Sequence, residues 1–421
     1  MREQATTDLE LHAGRPAGRR ADWIGLPVAL WFVGGAMLVM RSAEVFYVPI
    51  MPLYARMLDV GAPLLVIGLV TSIDRLGAML ISPLSGRWAD RAGRRRPYLV
   101  GVGITAAASV LGGLAGGVFD LGAYRLISGI GYGMLTVAAM SYVSDITTTR
   151  NRATAMSIFS ASTLAGAALG PLPGGYISES FAPALAGYRA TFFAGGLLEL
   201  LVGAYAFFMI RGERRGASAS AVRRGGPSAW SVLANVAVLA TCVSVFLFGV
   251  GFGAFLYFTV PLLGSQLSFT PSQVGWVVSG FGVGHVIGAL AFGPLSDRVG
   301  RRKVFGWAGI LFSGIPIALF GLTTSVTAMV AITLFVGLIS APLCGVVPTL
   351  VAELMPEAAG AAMGFQKSSE QLGIFVGPGL AGAAIAALGV NAAMVGAGAV
   401  MVIGSLLFLL LVKEPAVSEG A

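Results

Sequence analysis

Gly86-Arg87-Trp88-Ala89-Asp90-Arg91-Ala92-Gly93-Arg94-Arg95 and Gly293-Pro294-Leu295-Ser296-Asp297-Arg298-Val299-Gly300-Arg301-Arg302 are two copies of one pattern, G-x-x-x-D-R-x-G-R-R. Each follows a long apolar run, and the matched positions lie 207 residues apart (Gly86 to Gly293, Asp90 to Asp297, Gly93 to Gly300). The register persists beyond the loops. Met156 maps onto Met363, and Gly166-x-x-x-Gly170-Pro171 maps onto Gly373-x-x-x-Gly377-Pro378. One offset held that far describes two halves of one design, the kind of self-similarity that is read before anything else.

Composition identifies the solvent. Hydrophobic residues make up 56% and charged residues 11%, with a mean hydropathy of +0.84, whereas soluble domains carry about 25% charge. A helix needs roughly 20 apolar residues to cross a bilayer. Twelve such runs lie near 24–53, 64–85, 97–117, 119–141, 153–177, 189–210, 232–262, 272–292, 304–322, 328–350, 359–386 and 391–412. Backbone in lipid must satisfy its own hydrogen bonds, so these runs are helices. The 60 glycines suit close helix contacts. The expected fold is an all-α polytopic membrane protein of twelve transmembrane helices in two six-helix pseudo-repeat bundles. The divisions are an N-terminal tail over 1–23, a bundle over 24–210, a linker over 211–230, a second bundle over 231–412 and a tail over 413–421.

Charge placement orients the chain. Of 27 Lys and Arg residues, 21 fall in the tails, the linker and alternate loops; the opposite loops hold Arg56 and Arg189, and four residues lie within spans. By the positive-inside rule both termini and the linker are cytoplasmic. Residues 1–22 read as a cytoplasmic tail, lacking the apolar core of a signal peptide. The formal charge of +8 is thus a topology signal and not a nucleic-acid footprint. Cys242 and Cys344 sit inside spans and give no disulfide or metal site. The glycine triplets at 129–133 and 280–284 follow no strand, so they are not nucleotide loops. There is no His cluster and no Cys–His combination for catalysis, and no cofactor is expected.

The doubled loop, the twelve spans and the central linker resemble the major facilitator superfamily, whose halves are parallel repeats about the membrane normal. The resemblance covers about residues 24–412 and implies an alternating-access transporter. It makes Gly86, Asp90, Arg91, Gly93, Arg94, Gly293, Asp297, Gly300 and Arg301 conformational-switch candidates. There Gly86 would permit close helix approach and Asp90 would accept hydrogen bonds from a helix N-terminus, while the arginines could equally be topology anchors. Gly166-Ala-Ala-Leu-Gly170-Pro171-Leu-Pro173-Gly174-Gly175 in span 5 resembles the antiporter element of the drug/proton exporters. Its prolines remove helix donors, and its glycines would pack against a helix of the other half. Arg125-Leu-Ile-Ser128-Gly129-Ile-Gly131 in span 4 resembles the family's R-x-x-q-G-x-g element, with Ser128 where Gln is usual.

Charges inside the membrane are site candidates by default, and here they break the repeat. Asp74 and Arg75 map onto Phe281 and Gly282, His285 maps onto Ala78, and Lys367 and Glu370 map onto Ser160 and Thr163. The resemblance puts spans 1, 4, 7 and 10 on the cavity, with 2, 5, 8 and 11 flanking it. Glu44, Asp74, Arg125 and Glu370 are therefore proton-coupling candidates. Glu44 is foremost, with Arg125 as its expected partner; a structural pair with Arg41 is the other reading, and Asp74 could simply neutralise Arg75 or Arg125. Arg41, Phe46, Tyr47, Tyr257, His285 and Lys367 are cavity candidates, although His285 could equally be a packing residue. Glu199, on a bracing span, reads as a structural hydrogen-bonder.

The expected activity is export of a small, partly apolar organic compound by proton antiport. The chain would be a monomer in the bacterial inner membrane, with a small-molecule solute, protons and the lipid bilayer as partners and no nucleic acid. Proton-coupled uptake of an organic anion is the alternative within transport. A transporter-like membrane sensor is the alternative from another class.

Overall fold

The computed structural model describes residues 22–23, 26–148, 151–209, 232 and 234–412. The linker over 211–230, the tail over 413–421 and nearly all of the tail over 1–23 lie outside the described residues, as do the side chains of Asp90 and Asp297. A two-residue antiparallel ladder, Asp22–Trp23 with Leu26–Pro27, precedes the first helix. Among the described residues, every regular element after it is a helix.

Among the described residues, ten helical segments are long and apolar enough to cross a bilayer. The other two expected spans are also helical. Span 3 is Arg95–Gly113, whose first two residues are arginines. Span 1 is split into Val28–Glu44 and Met51–Leu58 by turns over 45–50. The split has a local cause: Pro49 lacks an amide donor and disfavours helix at the residue before it, while Pro52 suits the first turn of the next helix. The continuous run expected over 24–53 is corrected accordingly.

Span 2 is Leu64–Ala92, span 4 Val118–Ile146 and span 6 Ala184–Met209. Span 5 comprises Arg152–Leu169 and Pro171–Glu179, interrupted at Gly170 beside Pro171. Span 7 runs through Val236–Gly253, a π-helical turn Ala254–Thr259 and Val260–Gln266. Span 8 is Pro271–Val299, opened by a capping box between Thr270 and Gln273. Span 9 is Arg302–Leu319, span 10 Val326–Ser340 plus Pro342–Leu354, span 11 Ala359–Leu388 and span 12 Val390–Leu411.

The repeat in sequence is a repeat in packing. Span 1 packs on span 5 as span 7 packs on span 11, span 2 on 4 as 8 on 10, and span 3 on 6 as 9 on 12. Across the halves, span 2 meets span 11 and span 8 meets span 5. These two seams are related by the same offset at single-residue resolution: Gly68 of span 2 lies against the Pro378 carbonyl, and Gly275 of span 8 lies against the Pro171 carbonyl.

Contacts between the halves concentrate at the end away from the doubled loops. There the Ser72 hydroxyl donates to the Phe375 carbonyl (2.8 Å), Ser272 N–H donates to Glu179 Oε1 (2.6 Å), and Trp276 Nε1 donates to the Tyr176 hydroxyl (3.2 Å). One continuous apolar core, including Tyr54, Ile67, Phe255 and Val274, crosses both halves at this end. A second core, including Met37, Tyr98 and Leu135, belongs to the first half. The doubled loops themselves make contacts within their own halves: Arg94 Nε to Asp145 Oδ2 at 2.8 Å, and Arg302 Nη1 to Glu353 Oε1 at 2.6 Å. The molecule is closed at one end and parted at the other.

The doubled motif, read from sequence as a loop, lies mostly within the last turns of spans 2 and 8, and its glycines divide into two kinds. Gly93 and Gly300 end spans 2 and 8 at φ +82° and +67°, backbone that glycine adopts without steric cost. Gly86, expected to allow close helix approach, does not do so here, and neither does its counterpart Gly293: a methyl at Gly86 would meet Val137 at 3.9 Å, and one at Gly293 would meet nothing within 4 Å. The reason is the parting of the halves at that end. The span 5 glycines need a related correction. Gly166, Gly170 and Gly174 press on span 1 of their own half, through the carbonyls of Leu38, Ser42 and Phe46, and only Gly175 of the element faces span 8.

Candidate functional site

Between the halves lies a cleft of about 960 Å³ of open space, and its two walls differ in chemistry. One wall is built by spans 1, 2 and 5. Arg41 and Arg75 reach its surface, and behind them runs an unbroken chain of ion pairs. Arg41 pairs with Glu44 one turn along the same helix. Glu44 Oε1 lies 3.8 Å from Arg75 Nη2, Arg75 Nε lies 3.4 Å from Asp74 Oδ2, and Asp74 Oδ1 lies 3.0 Å from Arg125 Nη2. Glu44, Asp74 and Arg125 are buried. Such charges are stable in a low-dielectric interior only when each is paired, and the order Arg–Glu–Arg–Asp–Arg places every acid between two cations. Aromatic faces complete the shell: Arg125 sits 4.3 Å from the Tyr47 ring centre and Arg41 5.3 Å from that of Tyr132. Arg125 Nε and Nη1 have no hydrogen-bond partner among the described residues.

The pairing corrects one expectation. Arg125 is the partner of Asp74, and Glu44 is held by Arg41 and Arg75, so no direct Glu44–Arg125 pair exists. Helix rotation is the cause. Arg125 lies in the second turn of span 4, which packs closely on span 2, and that seam carries Asp74. Gly129 makes the approach possible, because a methyl there would overlap the Asp74 backbone.

The opposite wall belongs to spans 7, 8, 10 and 11. Phe252 lies 4.8 Å from Phe281 and 6.0 Å from Tyr257, and Phe281 lies 5.5 Å from His285, centre to centre. Tyr257 stands in the π-helical turn of span 7, a distortion frequent at functional sites. Its hydroxyl accepts from Arg75 Nη2 at 3.1 Å and so joins the two walls. Lys367 contacts both Glu370 oxygens at 2.9 Å and exposes 55% of its side chain to the cleft. The repeat offset thus sets the charged pair Asp74–Arg75 across from its counterparts Phe281 and Gly282.

Two aromatic candidates leave the cleft. Phe46 and Tyr47 fall in the break of span 1, which turns them inward. Tyr47 stacks on Phe192 at 4.8 Å beneath Arg125, and the Phe46 carbonyl abuts Gly174. Val45 and Val48 line the cleft in their place. Glu199 is buried on span 6, accepting from the Ser109 hydroxyl at 2.8 Å. Sequence reasoning passed over Tyr132, Phe248 and Phe281. The i,i+4 pair Phe248–Phe252, stacked at 5.8 Å, was the available signal for that wall.

The model of the Major Facilitator Superfamily matches residues 30–262 and 241–421. The chain is 25% identical over 370 residues to Multidrug resistance protein 2 of Bacillus subtilis, covering 85% of this chain and 88% of that one. It is 21% identical over 342 residues to Quinolone resistance protein NorA of Staphylococcus aureus, covering 80% and 84%. Its fold is similar to that of a bacterial homologue of the human lysosomal transporter Spinster, in an inward-facing and occupied conformation. The TM-score is 0.77 at 17% identity, over 91% of this chain and 96% of that one. The inward-facing, unoccupied form of that protein gives 0.74.

Proposed function

Since the chain belongs to the Major Facilitator Superfamily, and is accordingly a multi-pass membrane transporter and not an enzyme, we propose that it exports a small, partly apolar organic compound in exchange for protons. The observation that carries this is the asymmetry of the cleft. One wall holds buried carboxylates in a chain of cations, and the other offers ring faces to an apolar solute. Solute and proton then meet different walls of one space.

In this reading Glu44 and Asp74 are the proton sites, and Arg41, Arg75 and Arg125 are the cations that take up the pairing as a proton arrives or leaves. Glu370, paired to Lys367, is the carboxylate on the solute side. The likeness to Multidrug resistance protein 2 and to NorA supports export, as does the glycine-proline element of span 5. The excess of basic residues in one set of loops supports a plasma-membrane orientation with both termini cytoplasmic. The parted end then faces the cytoplasm, and this is the state that loads solute from inside. The Asp90 and Asp297 loops act as the switch on that face, and a single chain suffices because the cleft is complete within it.

One observation favours a second reading. Arg41, Arg75 and Lys367 all face the cleft, against the single carboxylate Glu370. An anion that takes Arg41 and Arg75 from Glu44 leaves a carboxylate to be neutralised, so anion and proton would travel together, as uptake. Inside-out vesicles with an imposed pH gradient separate the two across cationic, neutral and anionic aromatic compounds. Export by exchange gives solute accumulation driven by an acid interior. Accumulation that needs solute and protons to move in the same direction selects uptake, and no gradient-driven movement of any compound overturns both.

A further inference from the structure

His285 has no counterpart in the first half, where Ala78 holds the equivalent position. Its ring is buried at 6% exposure yet lines the cleft, tilted against Phe281. The hydrogen bonds around it fix its chemistry. The Ser340 hydroxyl has one proton, and it donates that proton to the Gly337 carbonyl at 3.1 Å. Facing His285 Nδ1 at 3.5 Å, the Ser340 oxygen can then only accept. The Gly337 carbonyl is a further acceptor beside the ring. With Ser340 bonded in this way, the neutral imidazole keeps its proton on Nδ1 and leaves Nε2 with a bare lone pair. Among the described residues Nε2 has no hydrogen-bond partner.

We propose that His285 Nε2 is the specificity-determining acceptor of the solute site, recognising an N–H or O–H donor on an aromatic compound whose ring lies along Phe252 and Phe281. This rests on the transport reading above and deepens it, naming the solute class. Lys367, the cation on the same wall, is bonded to both Glu370 oxygens, so a neutral donor fits beside it without a competing charge. A solute of equal size without the donor leaves a buried acceptor unpaired, a loss that costs about tenfold in affinity.

The test uses 7-amino-4-methylcoumarin and 4,7-dimethylcoumarin, two neutral compounds of equal size that differ in the N–H donor. Binding to the purified full chain in detergent is followed by fluorescence at about pH 8, above the ordinary histidine range. The wild type should prefer the N–H compound about tenfold. His285→Phe keeps ring and packing and should abolish the preference, whereas His285→Gln, which restores a carbonyl acceptor, should recover part of it. Equal binding of the two by the wild type, failure of both to bind, or a preference unchanged in His285→Phe overturns the assignment. Because binding in detergent needs no gradient, a clear preference without gradient-driven movement in vesicles would refute the export reading alone.

Discussion

Removing Asp74 should unlock the buried ion chain, and the size of the effect follows from the geometry. Two unit charges 3.0 Å apart, as Asp74 Oδ1 and Arg125 Nη2 are, attract by about 5.5 kcal/mol at an effective dielectric constant near 20. Desolvation offsets much of that, so the pair adds little over an apolar pair of the same volume. Breaking it is another matter. Asp74→Asn leaves Arg125, 5% exposed, with no acid partner, a loss of about 3–5 kcal/mol for a buried charge left alone. Arg125→Met leaves Asp74 with Arg75 alone at 3.4 Å and should cost less. The double variant removes both charges and should melt above Asp74→Asn. Thermal melting of the purified protein in detergent, read by loss of the monodisperse peak, gives the three comparisons. Asp74→Asn melting with the wild type, or the double variant losing the sum of the single losses, would show that the pair does not hold the chain together.

Glu44→Gln should lose pH-driven accumulation in vesicles while keeping solute counterflow, since driving force and permeation are separable; full accumulation would move the proton site to Asp74. A methyl at Gly68 would overlap the Pro378 backbone, which cannot yield as a side chain can, so Gly68→Ala should weaken the closed end by about 1–3 kcal/mol. In a Cys242→Ser background, an impermeant thiol reagent outside intact cells should then alkylate the cleft residue Cys344 several-fold faster, and an unchanged rate refutes the seam. For topology, Gln266→Cys at the end of span 7 and Glu357→Cys in the turn before span 11, both exposed and at opposite ends, should label from outside and inside respectively. Gly264, two residues before Gln266, is packed under Val274 and unsuited.

The helices and the two-half plan were legible because a bilayer imposes length and hydropathy directly on sequence, and because a fixed offset survives whatever the tertiary contacts do. The pairs within one helix were legible too, since Arg41–Glu44 and Lys367–Glu370 are set by i,i+3 spacing. Asp74–Arg125 was legible only as one of two alternatives, beside Asp74–Arg75. Which acid meets which arginine across a seam depends on how far each helix is rotated, and that is decided by small residues such as Gly129. The inward turn of Phe46 and Tyr47 was announced by Pro49 and Pro52, whose effect a hydropathy run conceals. The lone pair of His285 Nε2 was beyond any sequence signal, because it depends on where a serine hydroxyl sends its proton.

The empty space at Gly86 and Gly293 bears on how variants of this protein can be screened. Both glycines occupy the parted end, on the two spans that form the seams; in this state a methyl at Gly293 meets nothing within 4 Å and one at Gly86 meets only Val137, at 3.9 Å. An alanine there is silent in the conformation described, and in the proposed cycle its cost falls on the conformation in which that end closes. Melting temperature would rank such a variant as sound, and a loading assay at equilibrium would agree. Turnover alone would expose the fault, so a stability filter applied before a flux measurement would admit the substitutions that stop the cycle.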